Sequence, residues 1–157
     1  LLDFFTAWKF KHPDDKDFMR IMEKTCDLEL DWYREYMVNS LKTIDYAIDS
    51  VYADGEHTGI LLARHGDMPM PLDFTVQLKD GMSVTYNIPL DIMRGAKSEW
   101  TNEHDQLLLL PDWDWVNPYY LFQIPEKLGD IKFVAIDKIR RMADIDSENN
   151  VWHVQKD

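Results

Sequence analysis

Histidine is the first residue type to examine for metal chemistry, because its imidazole nitrogens are common zinc ligands. None of the five histidines belongs to a His-Glu-x-x-His run, the helical motif that holds zinc in many metallopeptidases. His57 and His65 lie at opposite ends of one predicted strand and are too far apart to share an ion. We therefore expect surface or structural roles for all five and predict no metal ligand: His12, His57, His65, His104 and His153.

The sequence also lacks the patterns of nucleophilic and phosphate chemistry. There is no Gly-x-Ser-x-Gly elbow, and the six glycines form neither a phosphate-binding loop nor a dinucleotide fingerprint. The single cysteine, Cys26, excludes an internal disulfide and falls on the apolar face of a predicted helix, where we expect a buried, inert thiol. We predict neither a catalytic nor a cofactor-binding residue in this chain.

Two acidic runs have part of the spacing of a calcium-binding loop. Residues 144, 146 and 148 are acidic, like positions 1, 3 and 5 of an EF-hand. The sixth position is Asn149 where the motif needs Gly, and the twelfth is Gln155 where it needs Glu. The pair Asp112 and Asp114 departs from the EF-hand motif at an earlier position, because the fifth residue of that run is apolar. We expect ordinary Asx turns in both runs.

An aromatic cluster is the remaining candidate for binding chemistry. Aromatic rings on irregular segments of a β-sandwich can form a platform on which sugars stack. The same residues can instead close the hydrophobic core or cover a sheet edge, and this interpretation is favoured because Trp is usually largely buried. The cluster consists of Trp100, Trp113, Trp115, Tyr119 and Tyr120.

The elements that position these residues begin with helices in residues 1–42. Apolar residues recur there at helical spacing over three short stretches, with a break near Pro13. Asp14 or Asp15 is the predicted N-cap of the second helix, and Asp27 or Asp31 that of the third. The predicted apolar faces are Phe4, Phe5 and Trp8, then Phe18, Ile21, Met22 and Cys26, then Leu30, Tyr33, Met37 and Leu41.

From Thr43 onward apolar and polar residues alternate with a period of two, which is typical of half-buried strands. Asp54-Gly55 and Asp80-Gly81 are hairpin signals, and residues 91–118 are less regular. Strands are predicted near residues 44–48, 58–62, 72–78, 84–88, 119–124, 131–137 and 151–154, with a turn over 144–150. Six or seven short strands without intervening helices predict an antiparallel β-sandwich.

Composition sets further limits. The 157 residues include 17 basic and 29 acidic side chains, a net charge of −12, which argues against nucleic acid or anionic lipid as a partner. No apolar run approaches the length of a transmembrane helix. With 45% hydrophobic residues the chain can bury a core. We predict a mainly β protein with a helical segment, residues 1–42, followed without a flexible linker by a sandwich, residues 43–157.

Several short runs in a fixed order carry a resemblance to a known family. In the helical part they are Phe10-Lys11-His12-Pro13, Asp17-Phe18, Met22-Glu23 and Leu30-Asp31-Trp32-Tyr33. In the β part they begin with Thr43-Ile44-Asp45-Tyr46-Ala47, Gly66-Asp67-Met68-Pro69-Met70-Pro71, Asp80-Gly81 and Ile88-Pro89-Leu90. They end with Met93-Arg94-Gly95, Asp112-Trp113-Asp114-Trp115, Met142-Ala143-Asp144-Ile145-Asp146 and Asn149-Asn150.

With these runs the chain resembles the C-terminal region of bacterial aminopeptidase N-like zinc metallopeptidases, the gluzincins. In that family a thermolysin-like catalytic domain precedes an immunoglobulin-like sandwich. The family's zinc helix, its third zinc-ligating Glu and its transition-state Tyr have no counterpart in these residues. The resemblance implies a non-catalytic fragment that supports the catalytic domain, while the parent uses zinc to remove N-terminal amino acids from peptides.

The resemblance also implies a partner, the upstream catalytic domain, and leaves the compartment open, periplasmic or secreted for the parent. A chain that starts inside an amphipathic pattern is expected to come from a longer protein. An apolar face built for another domain would then be exposed and cause self-association; the candidates are Phe4, Phe5, Trp8 and Phe10. The alternative function is an accessory β-sandwich module that binds a glycan or a protein through its Trp-rich segment.

Overall fold

The helices occupy the part of the chain where the helical spacing predicts them. The structure, a computed structural model, describes residues 1–154. Helix α1 spans Leu2–Trp8, α2 spans Asp15–Cys26, and α3 spans Asp31–Tyr33 and continues as a π-helical turn over Arg34–Val38. The predicted N-terminal segment of two or three short helices is therefore confirmed.

Helix α2 begins with a reciprocal cap at its predicted start. The Asp14 carboxylate accepts a hydrogen bond from the Asp17 N–H at 2.9 Å, and the Asp17 carboxylate accepts one from the Asp14 N–H at 3.1 Å. These bonds satisfy backbone donors at the start of the helix. The helix ends at Cys26 because Asp27 adopts a left-handed backbone conformation, with φ at 54°.

Helix α3 differs from the prediction at both ends. Leu30, rather than Asp27 or Asp31, is its N-cap, and the Leu30 N–H donates to the Glu23 carboxylate at 3.0 Å. Asp27 cannot cap α3 because it already forms the left-handed end of α2. Leu41, predicted to lie on the apolar face, follows the helix and is 99% exposed.

The β part of residues 1–154 contains nine strands, where the alternation predicts six or seven. They are β1 (Tyr46–Asp54), β2 (His57–Arg64), β3 (Leu72–Leu78), β4 (Ser83–Ile88), β5 (Trp100–Thr101), β6 (Asp105–Leu109), β7 (Tyr119–Ile124), β8 (Ile131–Ile136) and β9 (Val151–His153). One sheet has the order β1-β2-β7, and the other has the order β5-β6-β4-β3-β8-β9.

Both predicted hairpins form. Asp54-Gly55 connects the antiparallel strands β1 and β2, and Asp80-Gly81 lies in the turn between β3 and β4. Gly55 and Gly81 have φ values of 61° and 100°, which glycine adopts without the steric cost of a side chain.

Strands β5 and β6 fall in the region where the sequence shows no alternation. Strand β6 pairs with β4 in parallel and with the two-residue strand β5 in antiparallel orientation. The run from Leu107 to Leu110 has no polar residue between its leucines, so a period of two cannot be recognised there. The six-stranded sheet is therefore mixed, with one parallel pair among antiparallel ones.

The hydrophobic core contains buried residues from both sheets. Phe74 of β3 and Phe122 of β7 pack edge to face, with ring centroids 5.4 Å apart. The largest fully buried side chains are Trp113, Tyr46, Phe74, Ile60, Leu62, Met68, Leu72, Ile88, Leu90, Ile124, Ile131 and Ile136. Strands account for 36% of the chain and helices for 21%, which confirms a mainly β fold with N-terminal helices.

Within residues 1–154, no helix combines the length and the apolar character needed to cross a membrane. The boundary between residues 42 and 43 stays a prediction, although the two parts contact each other, as described next.

Candidate docking surface of the helical segment

The helical segment has almost no core of its own. Within residues 1–42 the structure buries one side chain, Met19, which is 9% exposed. Helices α1 and α2 contact each other through Phe4 and Phe18, whose rings meet edge to face with centroids 5.1 Å apart. This small contact cannot shelter the other apolar side chains of the segment.

Four large apolar residues in α1 and directly beside it are exposed. The exposed fractions are 82% for Leu1, 76% for Leu2, 63% for Phe5 and 100% for Phe10. We call these four residues the α1 apolar surface. Of the four aromatic residues that the sequence predicts to be exposed, Phe5 and Phe10 are exposed, whereas Phe4 and Trp8 are half-buried. The single face predicted for α1 is thus divided between a contact with α2 and open surface.

The other end of the helical segment packs against the sheets, and we call this contact the seam. The Glu29 N–H donates to the Met93 carbonyl oxygen at 2.9 Å. A Cβ atom added to Gly95 would lie 2.6 Å from a methyl carbon of Leu28 and 2.8 Å from the Asp27 carbonyl oxygen. Only glycine therefore allows the two backbones to come this close. The aromatic residues Trp32, Tyr33 and Tyr36 also pack against the core.

The structure separates the five aromatic residues of the Trp-rich cluster. Trp113 is 1% exposed and lies in the core, while Trp115 and Tyr120 are half-buried. Trp100 and Tyr119 are 47% and 53% exposed, but they belong to different sheets. The five residues are not brought together as one platform, and the core interpretation is correct for Trp113.

Trp113 organises its surroundings by stacking. Its ring stacks on Tyr120, with centroids 5.1 Å apart, and meets Tyr46 edge to face at 5.5 Å. The Tyr120 hydroxyl donates to the Pro111 carbonyl oxygen at 2.6 Å. Burial and, to a smaller extent, the negative charge of Asp112 raise the pKa of Tyr120 to about 12. Tyr120 is therefore neutral at neutral pH, and its ring is packed against Trp113.

The histidines and the cysteine all lie at the surface. His57 starts β2 and His65 follows its end, as predicted, and all five histidines are exposed. Cys26 is exposed as well, so the prediction of a buried thiol is wrong. Cys26 is the last residue of α2, and the chain turns away at Asp27 before another element can cover the sulfur.

The acidic runs form Asx turns, as predicted. Asp144 accepts a hydrogen bond from the Asp146 N–H at 2.9 Å, and Asp146 accepts one from the Glu148 N–H at 3.3 Å. Asp114 accepts a bond of 3.3 Å from the N–H two residues further on. Gln155, the twelfth position of the loop comparison, lies outside the described residues.

A second acidic group was not visible in the sequence. Carboxylate oxygens of Glu23, Glu29 and Asp31 lie within 4.8 Å of one another. These residues stand on both sides of the left-handed turn at Asp27, and only that turn brings them together. Glu23 already accepts the Leu30 N–H and so serves the start of α3. The group places three carboxylates close together at this end of the helical segment.

Comparison with protein-family models, with curated proteins and with solved structures gave no match for this chain.

Proposed function

We propose that this chain is the non-catalytic C-terminal part of a zinc-dependent aminopeptidase and gives structural support to its catalytic domain. The observation that carries the proposal is the α1 apolar surface, where four large side chains are at least 63% exposed. Complete burial of a Leu or Phe side chain stabilises a protein by roughly 1.5–3 kcal/mol. Contact with a domain that covered α1 would therefore be stabilised by several kcal/mol. This stabilisation explains why these residues are apolar.

The backbone at Phe10 supports the same conclusion. Its φ is 64°, in the left-handed region, which costs a residue with a large side chain about 1–2 kcal/mol. The phenyl ring is 100% exposed and gains no packing energy within residues 1–154. Contact with a neighbouring domain would offset this cost, because such strain persists where surrounding structure holds it.

The seam provides the connection through which the sandwich would support another domain. Residues 28–36 are attached to the sheets by the Glu29–Met93 hydrogen bond and by the close approach at Gly95. A domain packed on α1 would therefore be connected to the sandwich through α2 and α3. In this arrangement the sandwich fixes the position of the catalytic domain without entering its site.

Zinc belongs to the proposed parent rather than to these residues. The acidic group Glu23, Glu29 and Asp31 has three carboxylates and no His or Cys. Zinc sites in proteins draw chiefly on imidazole nitrogen and thiolate sulfur, so this group does not fit the metal. No chemical step is assigned to the chain.

The alternative function, a binding module that uses the Trp-rich segment, has less support. Trp113 lies in the core, and the two exposed aromatic residues, Trp100 and Tyr119, belong to different sheets. A sugar-stacking surface needs adjacent exposed rings.

The coding sequence upstream of Leu1 tests the proposal most directly. A His-Glu-x-x-His helix with a downstream Glu is the expected result, whereas a start codon directly before Leu1 or an unrelated upstream enzyme contradicts the proposal. The purified chain should also release no N-terminal amino acid from peptide amides when zinc is added. Turnover that copurifies with the chain would contradict its non-catalytic assignment.

Self-association of the purified chain provides a second test. We expect Phe5→Ser and Phe10→Ser to reduce the self-association of the chain in sedimentation experiments, because they remove exposed apolar area. Leu121→Ser is the matched control, since Leu121 is 64% exposed on β7 and should leave self-association unchanged. A monomeric chain with strong amide-exchange protection across residues 1–12 would show that nothing needs to cover α1.

A further inference from the structure

An open groove runs along the seam between α3 and the sheets. Its volume is about 530 Å³, and both parts of the chain contribute to it. We call it the aromatic groove, and its lining residues are Asp31, Trp32, Arg34, Glu35, Tyr36, Ile92 and Trp115.

Three half-buried aromatic rings form the walls of the groove. Tyr36 and Trp115 approach each other across the seam, with centroids 6.5 Å apart and planes inclined by 56°. The indole N–H of Trp32 donates to the Glu29 carbonyl oxygen at 2.8 Å, which fixes the orientation of that ring. Aromatic faces carry negative electrostatic potential, so walls of this kind attract cations.

Two of the three charged residues that line the groove are acidic. Asp31 and Glu35 are exposed carboxylates, and neither forms an ion pair within residues 1–154. The acidic group described above adds two more carboxylates beside Asp31. Arg34, the one basic lining residue, binds the Asp15 carboxylate through its Nε at 2.6 Å and so has its charge compensated.

The ring of Tyr36, which lines the groove, already contacts one cation of this chain. The ammonium nitrogen of Lys42 lies 4.4 Å from the centre of the Tyr36 ring, within the range of a cation–π contact. This contact shows that the environment of Tyr36 accepts a positive charge.

We propose that the aromatic groove binds an arginine side chain presented by a partner protein surface. A guanidinium group is planar, stacks on aromatic rings and is less strongly hydrated than an ammonium group, so it suits a half-buried site with aromatic walls and acidic rims. The inference rests on the proposed function only for the identity of the partner, which would be the catalytic domain. The chemistry of recognition depends on the groove alone.

The test uses N-acetyl-L-arginine amide as the probe and N-acetyl-L-citrulline amide as its neutral counterpart of nearly the same shape. The probes are titrated into the whole chain while the indole N–H signals of Trp32 and Trp115 are followed by NMR. We expect the arginine probe to shift both signals and to bind about two- to fivefold more tightly than the citrulline probe, the size of an exposed cation–π contribution. Equal responses to the two probes, or no response at either indole, would overturn the proposal.

Two substitutions test whether an acidic residue at the rim of the groove contributes to arginine binding. Glu35→Gln changes an exposed side chain, so the chain should still fold, and we expect arginine binding to weaken by about fivefold or less. Glu103→Gln, an exposed carboxylate before β6, is the matched control and should leave binding unchanged. Identical binding by wild type and Glu35→Gln would contradict the assigned role of the rim. The titration is independent of peptidase activity, so an upstream sequence without a zinc motif would change the partner and leave arginine binding intact.

Discussion

The Asp144 carboxylate accepts a hydrogen bond from the backbone N–H of Tyr46, at 3.0 Å, and so joins positions 98 residues apart. Its other oxygen accepts the Asp146 N–H at 2.9 Å. Beside it, the Ile145 N–H donates to the Ile44 carbonyl oxygen at 3.0 Å. One carboxylate therefore shapes its own loop and also holds the start of β1, which explains why an acidic run with calcium-like spacing has a structural role.

Substitution of Asp144 tests this role. Asp144→Ala leaves the N–H of Tyr46, a fully buried residue, without its partner, so we expect the free energy of unfolding to fall by about 1–3 kcal/mol. Asp144→Asn keeps one acceptor oxygen and should lose less. Urea denaturation measures both values.

The matched control for Asp144 is Asp67→Ala. Asp67 is exposed and follows β2 by three residues, and its loss should change the free energy of unfolding by less than about 0.5 kcal/mol. Equal losses for the Asp67 and Asp144 variants would show that the bond to Tyr46 contributes nothing.

Buried tyrosines predict the behaviour of the protein in alkali. The Tyr46 hydroxyl donates to the Met70 carbonyl oxygen at 3.1 Å and accepts the Met70 N–H at 2.8 Å, and burial raises its pKa to about 12. The Tyr86 hydroxyl donates to the Glu126 carboxylate at 2.9 Å, and its burial, followed by the charge of Glu126, raises its pKa as well. Both tyrosines therefore keep their protons when the unfolded chain has lost them.

Stability should consequently fall above pH 10. Below that value the tyrosines are protonated in both the folded and the unfolded state, so their ionisation does not lower the free energy of unfolding. Between pH 10 and pH 12 the unfolded state binds fewer protons, and Tyr46 alone lowers the free energy of unfolding by about 1.4 kcal/mol per pH unit. Urea denaturation at several pH values measures this slope.

Substitution of a third tyrosine should flatten the same slope. Burial also raises the pKa of Tyr120 to about 12, so Tyr120→Phe removes one ionisation from the balance. Tyr119→Phe, at an exposed neighbouring position, is the control. A slope that both variants leave unchanged would mean that Tyr120 is accessible to solvent in the folded protein.

Trp113 and Trp100 should differ sharply in their contribution to stability. Trp113→Ala removes a core ring that stacks on Tyr120, and we expect a loss of about 3–5 kcal/mol. Trp100→Ala changes a side chain that is 47% exposed on the short strand β5 and should cost about 0.5 kcal/mol or less. Thermal unfolding followed by circular dichroism compares the two. Similar losses would contradict the division of the Trp-rich cluster into core and surface.

Sequence reasoning was correct for several features that a local rule decides, although the N-cap of α3 was not among them. The Asp14 cap and the Asp54-Gly55 and Asp80-Gly81 turns depend on neighbours within a few residues, and all three were predicted. Strands such as β3 and β7 expose one face more than the other, so their alternation is visible in the sequence. Such features need no knowledge of the rest of the chain.

Features that depend on distant partners could not be predicted in the same way. Cys26 has the spacing of an apolar helix face, but no element covers the end of α2, and the thiol is exposed. Strand β6 consists largely of leucine and joins β4 in parallel, a pairing that periodicity does not encode. The acidic group beside Asp31 and the aromatic groove form only because the chain turns at Asp27 and the seam closes.

The seam itself can be opened by adding one methyl group. Gly95→Ala places a Cβ atom 2.8 Å from the Asp27 carbonyl oxygen, a distance at which the backbone must shift. We expect hydrogen exchange of the amides in α2 and α3 to become faster while the amides of β3 and β8 keep their protection. Gly129→Ala is the matched control, because no atom lies within 4 Å of its added Cβ. If Gly95→Ala instead accelerated exchange uniformly across both sheets, the seam would be part of the folding core rather than a separable contact that holds the helical segment in place.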